Sequence, residues 1–120
     1  MQVRGADFVV YLVKDMDRSI EFYRDTLGLK LEMNMGSWVE FDVPPTTLAL
    51  YREDGDEPES YGGLLALAVE NVEESLNELK EKGVKTIMEP LDTPVCHFAI
   101  ILDPDGNRIG LHWRKDGTFG

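Results

Sequence analysis

The sequence predicts an α+β fold built from two successive βαβββ modules. Three observations predict it: a strand–helix pattern that recurs at a constant offset of 56 positions, an acidic glycine-containing segment between the copies, and a final hairpin, Cys96 to Trp113, whose register follows from its turn. A chain of 120 residues suits one compact domain. We therefore read residues 1–120 as a single domain of two repeats, 6–52 and 63–113, joined by a linker over 53–62.

The first copy opens with the apolar run Asp7 to Val13, read as a strand. Asp15 suits a helix N-cap, and Met16, Ile20, Tyr23 and Leu27 then recur at helical spacing until Gly28 closes the helix. Leu29 to Met35 and Ser37 to Val43 read as strands joined at Gly36. Pro44-Pro45 breaks the second of them, and Thr47 to Arg52 makes a fourth strand.

The segment from Glu53 to Gly63 is acidic and rich in glycine, as an exposed linker would be. The pattern then restarts. Leu64 to Val69 reads as a strand, Asn71 as a cap with Glu74 three residues on, and Val72, Leu76 and Leu79 as a helical stripe ended by Gly83. Lys85 to Glu89 reads as a strand and Leu91 to Pro94 as a loop. Val13, Asp15 and Ser19 superpose on Val69, Asn71 and Ser75, and the same offset sets Phe8 on Leu64.

In the last hairpin, Pro104 suits the first corner of a type I turn and Gly106 the left-handed position. Asp103 and Asn107 then flank the loop, so Ile100 falls opposite Gly110 and Phe98 opposite His112. One face carries Ala99, Ile101, Ile109, Leu111 and Trp113 and should lie under a helix; His97 shares it. The other mixes Phe98, Ile100, Arg108, Gly110 and His112, a composition suited to a ligand-facing surface. By the repeat, Val9, Tyr11 and Val13 face the first helix, and the cleft should see Phe8, Val10, Leu64 and Ala66. On the third strand Trp38 and Glu40 are the more polar alternating pair and are assigned to the cleft over Val39 and Phe41.

Composition excludes several classes. Twelve basic against 23 acidic residues give a formal net charge of -11, which repels phosphate backbones and argues against nucleic acid, while a solubilising surface is its plainest use. No run is long and apolar enough to span a bilayer, and the first residues lack a signal-peptide pattern, so a cytoplasmic protein with no membrane partner is expected. Cys96 is the single cysteine, which rules out an internal disulfide and a thiolate cluster.

Val13-Lys-Asp15, Ser19-Ile-Glu-Phe-Tyr23, Leu27-Gly28, Val69-Glu-Asn-Val72 and Asp103-Pro-Asp-Gly-Asn-Arg-Ile109, in this order on a duplicated module, resemble the vicinal oxygen chelate superfamily of glyoxalases, bleomycin resistance proteins and extradiol dioxygenases. The resemblance implies two modules forming a cupped mixed sheet around one cleft, commonly in a homodimer. It also implies a divalent metal held by His, Gln or Glu. The corresponding positions here are Phe8, Leu64 and Gly110, with a fourth near Ala49, and none of these side chains can ligate. A mononuclear site needs about three or four N, O or S donors converging on one point.

The expectation is therefore a protein without metal or other cofactor, similar to the bleomycin resistance proteins, that sequesters a cationic or aromatic small molecule. Its ligand-binding residues would be Phe8, Val10, Trp38, Glu40, Leu64, Ala66, Phe98, Ile100, Gly110 and His112. The rival expectation is a glyoxalase- or dioxygenase-like enzyme with a relocated metal, or an acid–base site of His112 and Glu40. His112 is equally compatible with a strand-end histidine of no function, and Cys96, with no base placed beside it, with inert packing. A site joining His97 and His112 with Glu40 would need opposite faces to converge.

Overall fold

The computed structural model describes residues 2, 4, 6–52 and 63–118; the acidic segment 53–62, read above as a linker, lies outside the described residues. The chain divides into two compact units, Met1–Glu59 and Ser60–Gly120. The first unit contains strands β1 (Val9–Leu12), β2 (Lys30–Asn34), β3 (Trp38–Val43) and β4 (Thr46–Tyr51), with helix α1 (Met16–Ile20) after β1. The second contains β5 (Leu64–Ala68), α2 (Val72–Glu81), β6 (Thr86–Asp92), β7 (Cys96–Leu102) and β8 (Arg108–Arg114). Each unit is thus a βαβββ module.

The sheets are ordered β1-β4-β3-β2 and β5-β8-β7-β6. In each, the first strand pairs in parallel with the last: Val10 lies opposite Ala49, and Ala66 opposite Gly110. The remaining pairs are antiparallel. The pairing is prolonged beyond the first strands by equivalent bonds, Val13 N–H to the Tyr51 carbonyl at 3.0 Å and Val69 N–H to the His112 carbonyl at 2.9 Å.

Both helices start where a side chain satisfies a free backbone donor. The Asp15 carboxylate accepts from the Arg18 N–H at 3.1 Å, and Asn71 Oδ1 from the Glu74 N–H at 2.9 Å. Such caps contribute about 1 kcal/mol each. Gly28 and Gly83 follow the helices with φ of 77° and 82°, the left-handed conformation that glycine adopts without steric cost.

The helical spacing from Met16 to Leu27 predicts an uninterrupted α-helix, and the structure differs. From Glu21 to Thr26 the chain widens into a π-helix, with the Leu27 N–H bonding the Phe22 carbonyl. The wider turn lets the consecutive residues Phe22 and Tyr23 both enter the core, edge to face at 5.1 Å. A 3.6-residue period would hold only one of them at the centre of the buried stripe.

A second difference lies in β6, expected to end at Glu89 before a loop over Leu91 to Pro94. The strand continues through Pro90 to Asp92. It is the edge strand of its sheet, and its register with β7 shifts between Met88 and Leu91. A proline is tolerated there because no ladder donor is required of it.

Each helix covers one sheet face, and that face is the core. In the first unit it gathers Tyr11, Val13, Val39, Phe41, Leu48 and Leu50, with the Tyr23 ring 5.8 Å from that of Phe41. In the second it gathers Leu65, Ala99, Ile101, Ile109 and Leu111 under Val72, Leu76 and Leu79. Full burial of one such large side chain contributes about 1.5–3 kcal/mol, so stability resides on the helix-bearing faces.

The β7–β8 turn is held by Asp103. Its Oδ1 accepts from the N–H groups of Asp105 and Asn107 at 2.9 and 2.8 Å, and its Oδ2 from Asn107 Nδ2 at 2.9 Å. Both residues are buried, so losing the carboxylate would strand donors away from water. Asp103→Ala is expected to destabilise the protein by about 2–3 kcal/mol in urea unfolding, and Asp103→Asn, which keeps one acceptor oxygen, by less.

Candidate functional site

Because side chains alternate along a strand, the face opposite each helix is composed of the residues the cores leave out. In the first unit that face carries Phe8, Val10, Trp38 and Glu40. Val39 and Phe41 are fully buried on the other side, so Trp38 and Glu40 are the outward pair. Trp38 Nε1 donates to Glu40 Oε2 at 2.8 Å. The Phe8 ring stands edge-on to Trp38 at 5.7 Å, and the ring of Tyr51, paired with Trp38 across the strands, lies 6.1 Å from it. Phe8 is 52% exposed and Val10 43%, which marks an apolar surface that packing within the unit leaves uncovered.

In the second unit the corresponding face carries Leu64, Ala66, Phe98, Ile100, Gly110 and His112, with the register read from the turn: Ile100 opposite Gly110 and Phe98 opposite His112. The Phe98 and His112 rings meet edge to face at 5.9 Å. Gly110 is where this face is most constrained. A Cβ built there would lie 2.7 Å from Phe98 Cε2 and 3.1 Å from Leu64 Cδ2. The space a side chain at 110 would use is filled by its neighbours, one reason a strand interior carries glycine.

The same face opens into a cavity of about 510 Å³ towards the ends of β5 and β8. Ala66, Ala68 and His112 line it from this face, Val69 and Trp113, of the other parity, close it where the strands end, Glu70 and Arg114 bring opposite charges, and Gly117 and Thr118 add the turn after β8. That turn is braced by Asp116, whose carboxylate accepts from the Thr118 N–H and hydroxyl at 2.9 and 2.7 Å. These bonds, the hydroxyl's foremost, hold the Asp116 carboxyl below the usual carboxylate range. Of the residues expected to contact a ligand only Ala66 and His112 reach this cavity, and Trp113, expected under the helix, reaches it as well. Ala68 was within reach of sequence reasoning, since it shares the parity of Ala66; Gly117 and Thr118 lie past the last strand, where no periodicity speaks.

His97 points to the helix side, as the register requires. Its Nδ1 lies 3.1 Å from a Glu73 carboxylate oxygen on α2, its Nε2 3.2 Å from Asp92 on β6, and its ring 5.3 Å from Trp113. Asp92 is held below the usual carboxylate range, chiefly by its hydrogen bond from Lys115. His97 therefore ties helix to sheet, on the face opposite His112. The Cys96 thiol is in contact with the Thr93 hydroxyl at 3.2 Å within the β6–β7 turn.

A profile of the Glyoxalase/Bleomycin resistance protein/Dioxygenase superfamily matches residues 5–111. The chain belongs to this superfamily, with two βαβββ modules as its fold requires. It is 34% identical to protein YraH of Bacillus subtilis over 125 residues, covering 84% of this chain and 91% of that one. It is 30% identical to the lactoylglutathione lyase of Salmonella typhimurium over 124 residues, covering 90% and 91%. Among solved structures, TnmS3, an antibiotic binding protein from Streptomyces sp. CB03234, superposes with a TM-score of 0.80 at 26% identity, over 96% of this chain and 99% of that one.

The divalent metal of the superfamily's enzymes does not fit these residues. Phe8, Ala49, Leu64 and Gly110 present no side-chain donor atom, and at Gly110 a side chain would meet the Phe98 ring. The pairing supports the alignment of Ala49 with Gly110, since Ala49 lies between Val10 and Glu40 as Gly110 lies between Ala66 and Ile100. Among the described residues, no three His, Cys, Asp or Glu side chains converge so as to hold a metal ion. No helix among them is long and apolar enough to cross a membrane.

Crowding at Gly110 makes a specific demand on the backbone's neighbours. Gly110→Ala is expected to destabilise the protein by about 1–3 kcal/mol, and adding Phe98→Leu to recover part of that loss, as measured by a double-mutant cycle in urea.

Proposed function

We propose that this protein is a metal-free small-molecule-binding member of its superfamily, sequestering an aromatic or cationic compound rather than transforming it. The observation that carries this reading is the chemistry at the metal positions: hydrocarbon side chains at Phe8, Ala49 and Leu64, and at Gly110 a volume already taken by Phe98 and Leu64. The superfamily's lyases and dioxygenases polarise substrate oxygens through a metal, and that chemistry needs ligands. Its binding proteins need only an apolar surface with a few oriented polar groups. The cluster of Phe8 and Tyr51 about Trp38, whose indole N–H holds the Glu40 carboxylate, suits such a role, since ring faces and a carboxylate both attract organic cations. The antibiotic binding of TnmS3 supports the same direction.

Phe8, Val10, Trp38 and Glu40 in the first unit, and Leu64, Ala66, Phe98, Ile100, Gly110 and His112 in the second, are proposed as the ligand-contacting residues of their respective sheet faces. A homodimer in the cytoplasm is part of the proposal. The exposed apolar side chains Met33, Ile87, Leu91 and Val95 on or beside the edge strands β2 and β6 supply surface for association.

Protein prepared without a histidine tag and exposed to zinc, nickel, iron and manganese should retain far less than one metal per chain after dialysis, by elemental analysis. Near-stoichiometric, chelator-sensitive metal would refute the reading. In a thermal-shift screen of aromatic and cationic compounds at least one class should stabilise the protein. For a cationic hit, Glu40→Gln should weaken binding by about 0.5–2 kcal/mol in calorimetry. A broad screen without a single hit would count equally against sequestration.

A second reading is kept because of the lactoylglutathione lyase relatives and because His112 lines a cavity. In it the protein is an enzyme that uses His112 as a general acid or base. It predicts that His112→Gln abolishes turnover of an identified substrate while leaving the urea midpoint nearly unchanged. Turnover that survives the substitution removes His112 from any mechanism.

A further inference from the structure

We infer that the cavity over Ala66 and Ala68 is a seat for a flat aromatic ring, selected by its shape and not by its charge, with His112 supplying the hydrogen bond that orients it. This rests on the small-molecule-binding reading and deepens it by choosing the ring over the cation for this part of the surface.

At the offset of 56, Val10 and Leu12 of β1 become Ala66 and Ala68 of β5, and Ala49, which faces Val10, has Gly110 as its counterpart facing Ala66. Every one of these three changes is from a larger to a smaller side chain. All three lie on one face, between the same two parallel strands. On the first sheet the outward face is built up by Val10, Leu12 and the Phe8–Trp38–Tyr51 rings; on the second the equivalent strand is pared down, and a cavity of about 510 Å³ opens there. That volume falls within the range of about 300–1,000 Å³ usual for small-molecule sites.

The lining determines what fits. Alternate methyl groups on a strand stand about 7 Å apart, so Ala66 and Ala68 make a low apolar floor that matches the face of a fused ring and offers no cup for a bulky aliphatic group. His112 is half-buried, its ring set edge-on to Phe98 at 5.9 Å, which limits its freedom to turn and leaves it an oriented polar group beside the floor. Glu70 and Arg114 line the cavity with opposite signs, so charge on the ligand earns little there in either direction. The aromatic–carboxylate cluster that would favour a cation belongs to the other unit.

The test uses three probes on the full chain: acridone, flat and neutral; 9-aminoacridine, flat and cationic; and tetramethylammonium, cationic and not flat. Methyl NMR of the unaltered protein reports where each binds, and fluorescence titration how tightly. The two flat probes should shift the Ala66 and Ala68 methyl signals, tetramethylammonium should not, and Ala68→Phe, at an exposed position, should weaken both flat probes by about tenfold or more by filling the cavity. Three results would each overturn the inference: equal shifts from tetramethylammonium, an affinity within about twofold of the original in Ala68→Phe, or no binding of either flat probe. Flat probes that instead perturb only Phe8 and Trp38 would overturn it while leaving the binding function standing. Stoichiometric metal, by contrast, would remove the binding function itself.

Discussion

Parallel pairing of the first and last strands is the constraint on which the rest of each unit depends. A parallel pair cannot be closed by a tight turn, so the chain between β1 and β4, or between β5 and β8, must supply a crossover and two further strands. The crossover helix takes one face of the sheet, and the apolar residues of one parity follow it into the core. Residues of the other parity are released from packing duty. Trp38, Glu40, Ala66, Gly110 and His112 all belong to that released set, which is why polar, aromatic and very small residues sit side by side on it.

Much of this was legible because it depends on period and on local turn chemistry. The alternation of Val39 and Phe41 with Trp38 and Glu40 was enough to assign faces once a core was assumed, and Pro104, Gly106, Asp103 and Asn107 together specified the register of β7 on β8. What was not legible depends on packing in three dimensions. Phe22 and Tyr23 are adjacent in sequence, and only the space between helix and sheet decides that both enter the core through a π-helical turn. The strand expected to end at Glu89 runs on through Pro90 to Asp92, and the proline's tolerance follows from an edge location that no local pattern announces.

The candidate site divides along the same line. Membership of a face could be read residue by residue, and so could the lack of donors at Phe8, Leu64 and Gly110. The cavity could not, since it arises from what is missing on β5 and from a turn after β8 that Asp116 braces through Thr118. The two units show how a duplicated module specialises without altering its frame. Caps, glycines and ladder bonds are kept at equivalent places, while the uncovered faces diverge: one presents clustered rings with a carboxylate, the other a shallow floor beside a histidine.

The contact between Phe98 and Gly110 also bears on ancestry. In a lineage where position 110 once carried a ligating carboxylate, the arrival of Phe98 before its loss would have met the same overlap that now bars its return. A larger side chain at 110 therefore fits only where the Phe98 ring shifts or is replaced, so the identities of these two positions are tied to one another.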